Sequence, residues 1–202
     1  MFIGAIFRPG RAMRKSLESR HPSRRAFLSV ALAGLPYIAT SAVLAVAGAV
    51  PTAPVFFGLD IGNYYAWQML FVLPLICAAG LIAAAILRLA RKGSGDSPGF
   101  SRAAGLSGAA MVSPFFLAWV PTAVEAAFQA LGMGQEEWVS ILSDPGPWQT
   151  AYLAVYAAAA VWAVRYFNLA ARIGRKKPGT GSLVGGALAA AAVIGAYIVF
   201  IR

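Results

Sequence analysis

The sequence predicts an all-α fold, a polytopic bundle of five transmembrane helices, and three observations lead to it. The chain of 202 residues is 59% hydrophobic and only 12% charged, whereas a soluble domain carries about 25% charged residues. It contains five apolar runs, each long enough to cross the hydrocarbon core of a bilayer. Its basic residues lie between these runs and are concentrated on alternate connections, as in multi-pass membrane proteins.

Residues 1–25 form a basic segment ahead of the first run. They hold seven of the 17 lysine and arginine residues and one acidic residue, Glu18. The apolar patch at the start, which includes Ile6, is far too short to span, so we expect it at most to lie among lipid headgroups. The segment is predicted to be cytoplasmic and to determine topology.

The membrane domain is predicted over residues 26–202, with spans at about 26–50, 64–90, 103–131, 148–171 and 183–201. The second and fourth spans start with aromatic residues and end with basic ones, which indicates opposite membrane surfaces at their two ends. The fifth is rich in small residues that let helices approach closely. Between the third and fourth spans, the spacing of Trp138, Ile141 and Leu142 predicts a short helix on the membrane surface.

Four prolines lie inside the predicted spans, and we expect a kink at each: Pro36, Pro74, Pro114 and Pro121. In the first span the hydroxyl groups of Thr40 and Ser41 can bond to the backbone groups that the proline frees. In the third span the two prolines either shape the bundle or act as hinges.

The first span also has a competing interpretation as an export signal. The stretch 23–28 resembles a twin-arginine signal, and 45–47 resembles a small-residue cleavage site. The apolar run of 25 residues exceeds the usual signal core of about 7–15 residues, which favours a span. Whether the segment is processed stays open, and N-terminal sequencing of the purified protein would decide it.

The distribution of positive charge predicts the orientation. Seven lysine and arginine residues precede the first span, four lie between the second and third, five lie around the connection from the fourth to the fifth, and only Arg202 falls on the other side. By the positive-inside rule the N-terminus is cytoplasmic and the C-terminus external. We therefore predict a multi-pass membrane protein.

Glu125 is the only acidic residue within a long apolar run. Arg165 is not its expected partner, because the two residues lie near opposite membrane faces at about 1.5 Å per helical residue. Instead, residues at a similar depth are predicted to form a polar layer that satisfies its carboxyl group. The candidates are Gln68, Thr122, Gln129, Tyr152, Tyr156 and Tyr197. Such a layer could lock the bundle, contact a lipid or partner, or hold a proton or ion.

Other classes of function find little support in the sequence. The basic residues are not interleaved with stacking aromatics, which argues against nucleic-acid binding. One cysteine, Cys77, excludes an intramolecular disulfide, and one histidine, His21, argues against a histidine metal site. We find no catalytic motif and expect no catalytic residues, cofactor or enzymatic activity. A small transporter or channel component that uses Glu125 and the kinked third span stays open as the alternative.

The layout resembles the bacterial branch of the Yip1-domain membrane proteins over about residues 20–202. The similar features are the stretch 21–24 (His-Pro-Ser-Arg), the aromatic start at 64–68, the spacing of Pro114 and 119–121 (Trp-Val-Pro), and the five spans. The resemblance implies a five-helix bundle with the N-terminus inside and a place in a bacterial inner membrane, but bacterial members of the family have no settled role. Our own hypothesis is a non-enzymatic protein of this type that organises protein partners or lipids in the membrane. Its expected partners are membrane lipids, membrane proteins or further copies of itself.

Two features depart from that family. The acidic segment that eukaryotic members carry before the first span is replaced here by a basic one, and the Gly-Tyr pair before the proline of the third span is replaced by Gly108 and Ala109. Eukaryotic relatives bind Rab GTPases, and that property is not carried over to this chain.

Overall fold

A computed structural model of the protein describes residue 6 and residues 8–51, 60–92, 99–173 and 180–201. Within these ranges the chain forms seven α-helices and a 3₁₀ turn at Ile61–Asn63. The helices are α1 (Pro9–Leu17), α2 (Pro22–Val46), α3 (Tyr64–Lys92), α4 (Phe100–Ala130), α5 (Gln135–Ser143), α6 (Pro147–Arg172) and α7 (Thr180–Phe200). Five of them, α2, α3, α4, α6 and α7, are long and apolar enough to cross a membrane. The predicted all-α bundle with five spans is confirmed.

The first spanning helix differs most from its predicted range of 26–50. It starts at Pro22, because proline at the first helical position leaves no backbone donor unsatisfied there. It ends at Val46, because Gly48 has a φ of 68° and the amide of Ala49 donates to the carbonyl of Leu44. This pattern is a Schellman motif, which depends on a residue that tolerates positive φ. Residues 93–98, between the second and third spans, and residues 52–59, between the first and second, lie outside the described residues.

Helix α4 forms the centre of the bundle. In its central stretch 78% of the residues are buried, against 22% to 44% for the other spanning helices. It packs against α1, α2, α3 and α6, while α7 packs against α3 and α6. Both Pro114 and Pro121 lie inside its continuous helix, and Pro36 and Pro74 lie inside α2 and α3 in the same way. The predicted kinks stay predictions.

The described part of the N-terminal segment packs into the bundle. The expectation that the apolar patch would at most lie among headgroups is wrong for Ile6, its one described residue. Met13 of α1 is completely buried, and α1 packs along α4. Further in, the hydroxyl group of Ser113 donates to the backbone carbonyl of Ile6 at 2.7 Å. Ser113 is the fourteenth residue of α4, so this carbonyl lies about 20 Å along the helix from its start.

Hydrogen bonds between helix termini define the two ends of the bundle. At the end that we call the basic end, Ser23 at the start of α2 bonds to Ser101 at the start of α4. At the end that we call the acidic end, Gln135 of α5 donates to the carbonyl of Val50. The acidic end carries Glu136 and Glu137 in the first turn of α5, where they complement the positive end of the helix dipole.

Two local predictions were only partly right or wrong. The short helix between the third and fourth spans exists as α5, but Trp138 is buried with 1% exposure and therefore packs into the bundle. The hydroxyl groups of Thr40 and Ser41 bond to the carbonyls of Pro36 and Tyr37. The carbonyl that the proline frees is that of Leu32, because Pro36 has no N–H to donate to it, and neither hydroxyl group bonds to it. The prediction about freed backbone groups is therefore wrong.

Arg91 is one of the basic residues at the end of the second predicted span, and it belongs to the core of the structure. Its side chain is buried, with 3% exposure, at the end of α3. The guanidinium group donates through Nη2 to the carbonyl of Ile173, just after α6, at 2.7 Å. The carbonyl of Ile173 lacks a donor within its own helix. The bond from Arg91 supplies one and links the end of α3 to the end of α6.

Candidate functional site

The carboxyl group of Glu125 is the centre of the candidate site. Glu125 lies on α4 about one and a half turns before its end and is completely buried. The phenol of Tyr65, in the first turn of α3, donates to Glu125 Oε1 with an O···O distance of 3.4 Å. This is longer than the usual 2.5–3.0 Å or so for such a bond. The acid is thus held at the α3–α4 contact near the acidic end.

Gln68, one turn further along α3, bridges two other helices. Its Oε1 lies 2.7 Å from the hydroxyl of Ser41 on α2, whose one proton is shared between this oxygen and the carbonyl of Tyr37. Its Nε2 donates to the carbonyl of Ile201, just after α7, at 2.8 Å. Nearby, the phenol of Tyr64 donates to the carbonyl of Phe200 at 3.2 Å. These bonds satisfy carbonyls at the end of α7, which the helix itself cannot satisfy.

Gln129 belongs to a separate chain of hydrogen bonds that does not include Glu125. Its Nε2 donates to Gln135 Oε1 at 3.1 Å, and Gln135 Nε2 donates to the carbonyl of Val50 at 2.9 Å. This chain ties the end of α4 to α5 and to the connection after α2. Thr122, one turn before Glu125, is buried with 8% exposure.

Tyr197 lies deeper than the predicted layer. Its phenol donates to the carbonyl of Ala118 at 3.1 Å, and Ala118 lies seven residues before Glu125, or about 10 Å along the helix axis. Its ring packs edge-on against Phe115 and Tyr37, with centroid distances of 5.7 and 6.2 Å. The prediction of one polar layer around Glu125 is therefore corrected, because Tyr197 lies in the core.

The other two predicted tyrosines connect Tyr197 to the acidic end. Ring contacts run from Trp138 to Tyr152 at 6.2 Å, to Tyr156 at 5.3 Å, and then to Tyr197 at 6.2 Å. Aromatic pairs at these distances stabilise a core beyond their buried area. Tyr152 and Tyr156 therefore belong to an aromatic chain between α5, α6 and α7.

Sequence reasoning missed three members of these networks: Tyr65, Ser41 and Gln135. Tyr65 looked like an interfacial aromatic residue, and Ser41 looked like a residue that serves the helix backbone near a proline. The available signal was helical spacing. Tyr65 and Gln68 are three residues apart on α3, so they lie on one helix face. Two polar side chains on one face of an apolar helix indicate that this face contacts other polar residues.

Arg165 lies away from the site, as its depth predicted. It is an exposed residue of α6, about three and a half turns along from Tyr152 towards the basic end, where a long cationic side chain can reach the headgroups. Two cavities lie between the helices. One of about 150 Å³ lies between α4, α6 and α7 beside Tyr197, and one of about 230 Å³ lies between α2, α3 and α4 beside Cys77.

Chemically, the site offers a carboxyl group, phenols and amides within a packed helix junction. A buried carboxyl group with a phenol donor can hold a proton, and it can equally fasten two helices. The described bonds of Gln68, Gln129 and Tyr197 all join different helices or connections. In comparisons with known proteins, the chain matches no protein-family model, no curated protein and no solved structure.

Proposed function

We propose that this protein is a non-enzymatic, multi-pass membrane protein of the Yip1-like type, which organises lipids or protein partners in a bacterial inner membrane. The observation that supports it is the use of the buried polar groups. Gln68 joins α2, α3 and the end of α7, and Tyr37 and Tyr197 both donate to carbonyls of α4. These polar groups are already bonded within the bundle. Binding of lipids or partner proteins would therefore involve the outer surfaces.

The proposed topology has the basic end in the cytoplasm, according to the positive-inside rule. A labelling experiment tests it in a Cys77→Ala background, since Cys77 is the only cysteine. Arg24→Cys and Glu137→Cys each introduce one exposed thiol, at the basic and the acidic end. A membrane-impermeant maleimide added to intact spheroplasts should label the Glu137→Cys chain and reach the Arg24→Cys chain only after permeabilisation. The opposite pattern would reverse the topology.

Photocrosslinking in intact membranes tests the organising role. A photoreactive residue replaces Trp162, which is 39% exposed on α6, and in the matched control it replaces Phe167, which is completely buried on the same helix. We expect adducts with a defined set of lipids or membrane proteins from Trp162 and only intramolecular products from Phe167. Identical adduct patterns would contradict the proposal.

The alternative is a small transporter or channel component that uses Glu125 and the proline-containing helix α4. One observation favours testing it: Glu125 is completely buried beside a phenol, and an ionisable residue at membrane depth is often functional. Purified protein in liposomes should produce no proton or solute flux above that of empty vesicles. A flux that Glu125→Gln abolishes, with the fold intact, would replace the organising role by transport.

A further inference from the structure

A cleft with a strongly basic lining opens at the basic end, where α1 turns into α2. The volume of the cleft is about 690 Å³. Among its lining residues are four permanent cations and one acid, Glu18. The lining consists of Lys15, Glu18, Ser19, Arg20, His21, Arg24, Arg25 and Leu28. All of the charged groups are exposed to solvent, so the cleft presents a concentrated positive potential that a nearby anion can reach.

Packing beneath the cleft holds its two walls in place. Met13 and Ser16 of α1 are buried, with 0% and 3% exposure. Arg25 of α2 donates through Nη1 to the backbone carbonyl of Lys15 at 3.3 Å, and this bond spans the cleft from α2 to α1. The cleft is therefore part of the fold and not a loose basic tail.

Gly105 of α4 makes this packing feasible. A methyl group added at Gly105 would collide with the hydroxyl of Ser16 and would lie 3.0 Å from Pro22 Cβ. The turn between α1 and α2 thus rests directly on the backbone of α4. A substitution at Gly105 can disturb the cleft without removing any of its charges.

An apolar stripe continues from the cleft along α2. Leu28 lines the cleft, and Leu32 and Leu35 follow it at i+4 and i+7, so the three lie on one helix face. They are 51%, 44% and 52% exposed on a helix long and apolar enough to span a membrane. Cationic groups therefore lie at the head of an exposed apolar stripe, which matches the two parts of a phospholipid.

We propose that this cleft binds the phosphate-bearing headgroup of an anionic phospholipid, with one acyl chain along the stripe of Leu28, Leu32 and Leu35. Arginine is suited to this role because its planar guanidinium group forms paired bonds with phosphate oxygens. A free phosphate ester shares the charge of the headgroup but lacks the chain. The inference deepens the proposed function, on which it rests, by naming a lipid class and a site.

The test compares two double variants that lose the same charge. R20Q/R24Q removes two cations from the cleft lining, whereas R11Q/R14Q removes two exposed cations of α1 that do not line it. The full chain, purified in detergent, is titrated with phosphatidylglycerol or phosphatidylcholine, and bound lipid is counted by native mass spectrometry. Gel filtration verifies that each variant keeps its fold.

We expect the wild-type chain to prefer phosphatidylglycerol. Because each basic residue near an anionic lipid contributes roughly 1 kcal/mol, R20Q/R24Q should weaken phosphatidylglycerol binding about 30-fold. R11Q/R14Q should weaken it less than about threefold, since neither residue lines the cleft and salt screens exposed charges that do not contact the headgroup. Gly105→Ala, which keeps every charge, should also weaken it because the walls of the cleft shift.

Three results would overturn the proposal. Equal losses in the two double variants would indicate a diffuse basic surface, and equal affinity for the two lipids would indicate no headgroup recognition. Displacement of phosphatidylglycerol by an equal concentration of glycerol phosphate would indicate a site for soluble phosphate esters. Lipid binding is measured on the purified protein and does not depend on a partner. A missing crosslinked partner or an unexpected flux would therefore contradict the proposed function and leave the lipid site in place.

Discussion

At the acidic end of the bundle one carboxyl group, that of Glu125, is completely buried, whereas at the basic end four cations line an open cleft. The buried group is surrounded by bonds that join helices, and its removal should disturb the fold. The exposed cations face solvent, and Arg25 also bonds to the backbone carbonyl of Lys15. From this difference we infer that the ionisable group inside the bundle supports structure, while the charged groups at its surface serve recognition.

The largest expected effect comes from Glu125→Ala. The variant leaves a cavity between α3 and α4 and removes the acceptor of the Tyr65 phenol, so we expect a loss of about 3 kcal/mol in the free energy of unfolding. Unfolding of the protein in bicelles, followed by circular dichroism, measures this loss. Glu137→Ala is the control because Glu137 is an exposed acid at the same end, and it should change the value by less than about 0.5 kcal/mol. Equal effects would remove the contrast between buried and exposed charge.

A somewhat smaller effect is expected from Gly105→Ala at the basic end. The added methyl group would lie 3.0 Å from Pro22 Cβ and 3.3 Å from the Pro22 carbonyl, and overpacking of this kind costs about 2 kcal/mol. Gly195→Ala on α7 is the control, since an added methyl group there meets nothing within 4 Å. The same unfolding assay applies. An unchanged stability in Gly105→Ala would mean that α1 and the turn do not rest on α4 as described.

The fold was largely predictable because lipid is a demanding solvent. Backbone groups in hydrocarbon must be satisfied within each segment, so long apolar runs become helices. The end of α2 was also readable in principle, since Gly48 supplies the positive φ that a Schellman motif needs. The docking of α1 was not readable, because the burial of Met13 depends on a facing helix that is distant in sequence.

The candidate site was predictable only in part. Glu125 and Gln68 stood out as polar residues in apolar runs, and both are buried near the acidic end. The partners of Tyr197 and Gln68 were not predictable, because both side chains donate to backbone carbonyls. Every residue has such a carbonyl. Which carbonyl a side chain reaches depends on the rotation and depth of the packed helices, which a single sequence does not specify.

Gln68→Leu should have a moderate effect and shows how much the bonds at the acidic end contribute. The change removes the bonds to Ser41 and to the carbonyl of Ile201 while keeping most of the side-chain volume. Hydrogen bonds between transmembrane helices contribute about 0.6 kcal/mol on average and up to about 1.7, so we expect a loss of about 1 kcal/mol. A double-mutant cycle with Ser41→Ala measures the share of the Ser41 bond. Gln149→Leu, near the start of α6, is the control, and a coupling energy of zero in the cycle would contradict the bond.

The smallest effect on stability is expected from Arg24→Ala, which separates folding from recognition. Arg24 is exposed and lines the basic cleft, so the free energy of unfolding should change by less than about 0.5 kcal/mol. Phosphatidylglycerol binding should nevertheless weaken about fivefold, because one cation near an anionic headgroup contributes roughly 1 kcal/mol. Both quantities are measured on one preparation, by unfolding in bicelles and by native mass spectrometry. If stability and lipid binding fell together, the cations of the cleft would serve the fold as Glu125 does, and the two ends of the bundle would no longer differ in the way argued above.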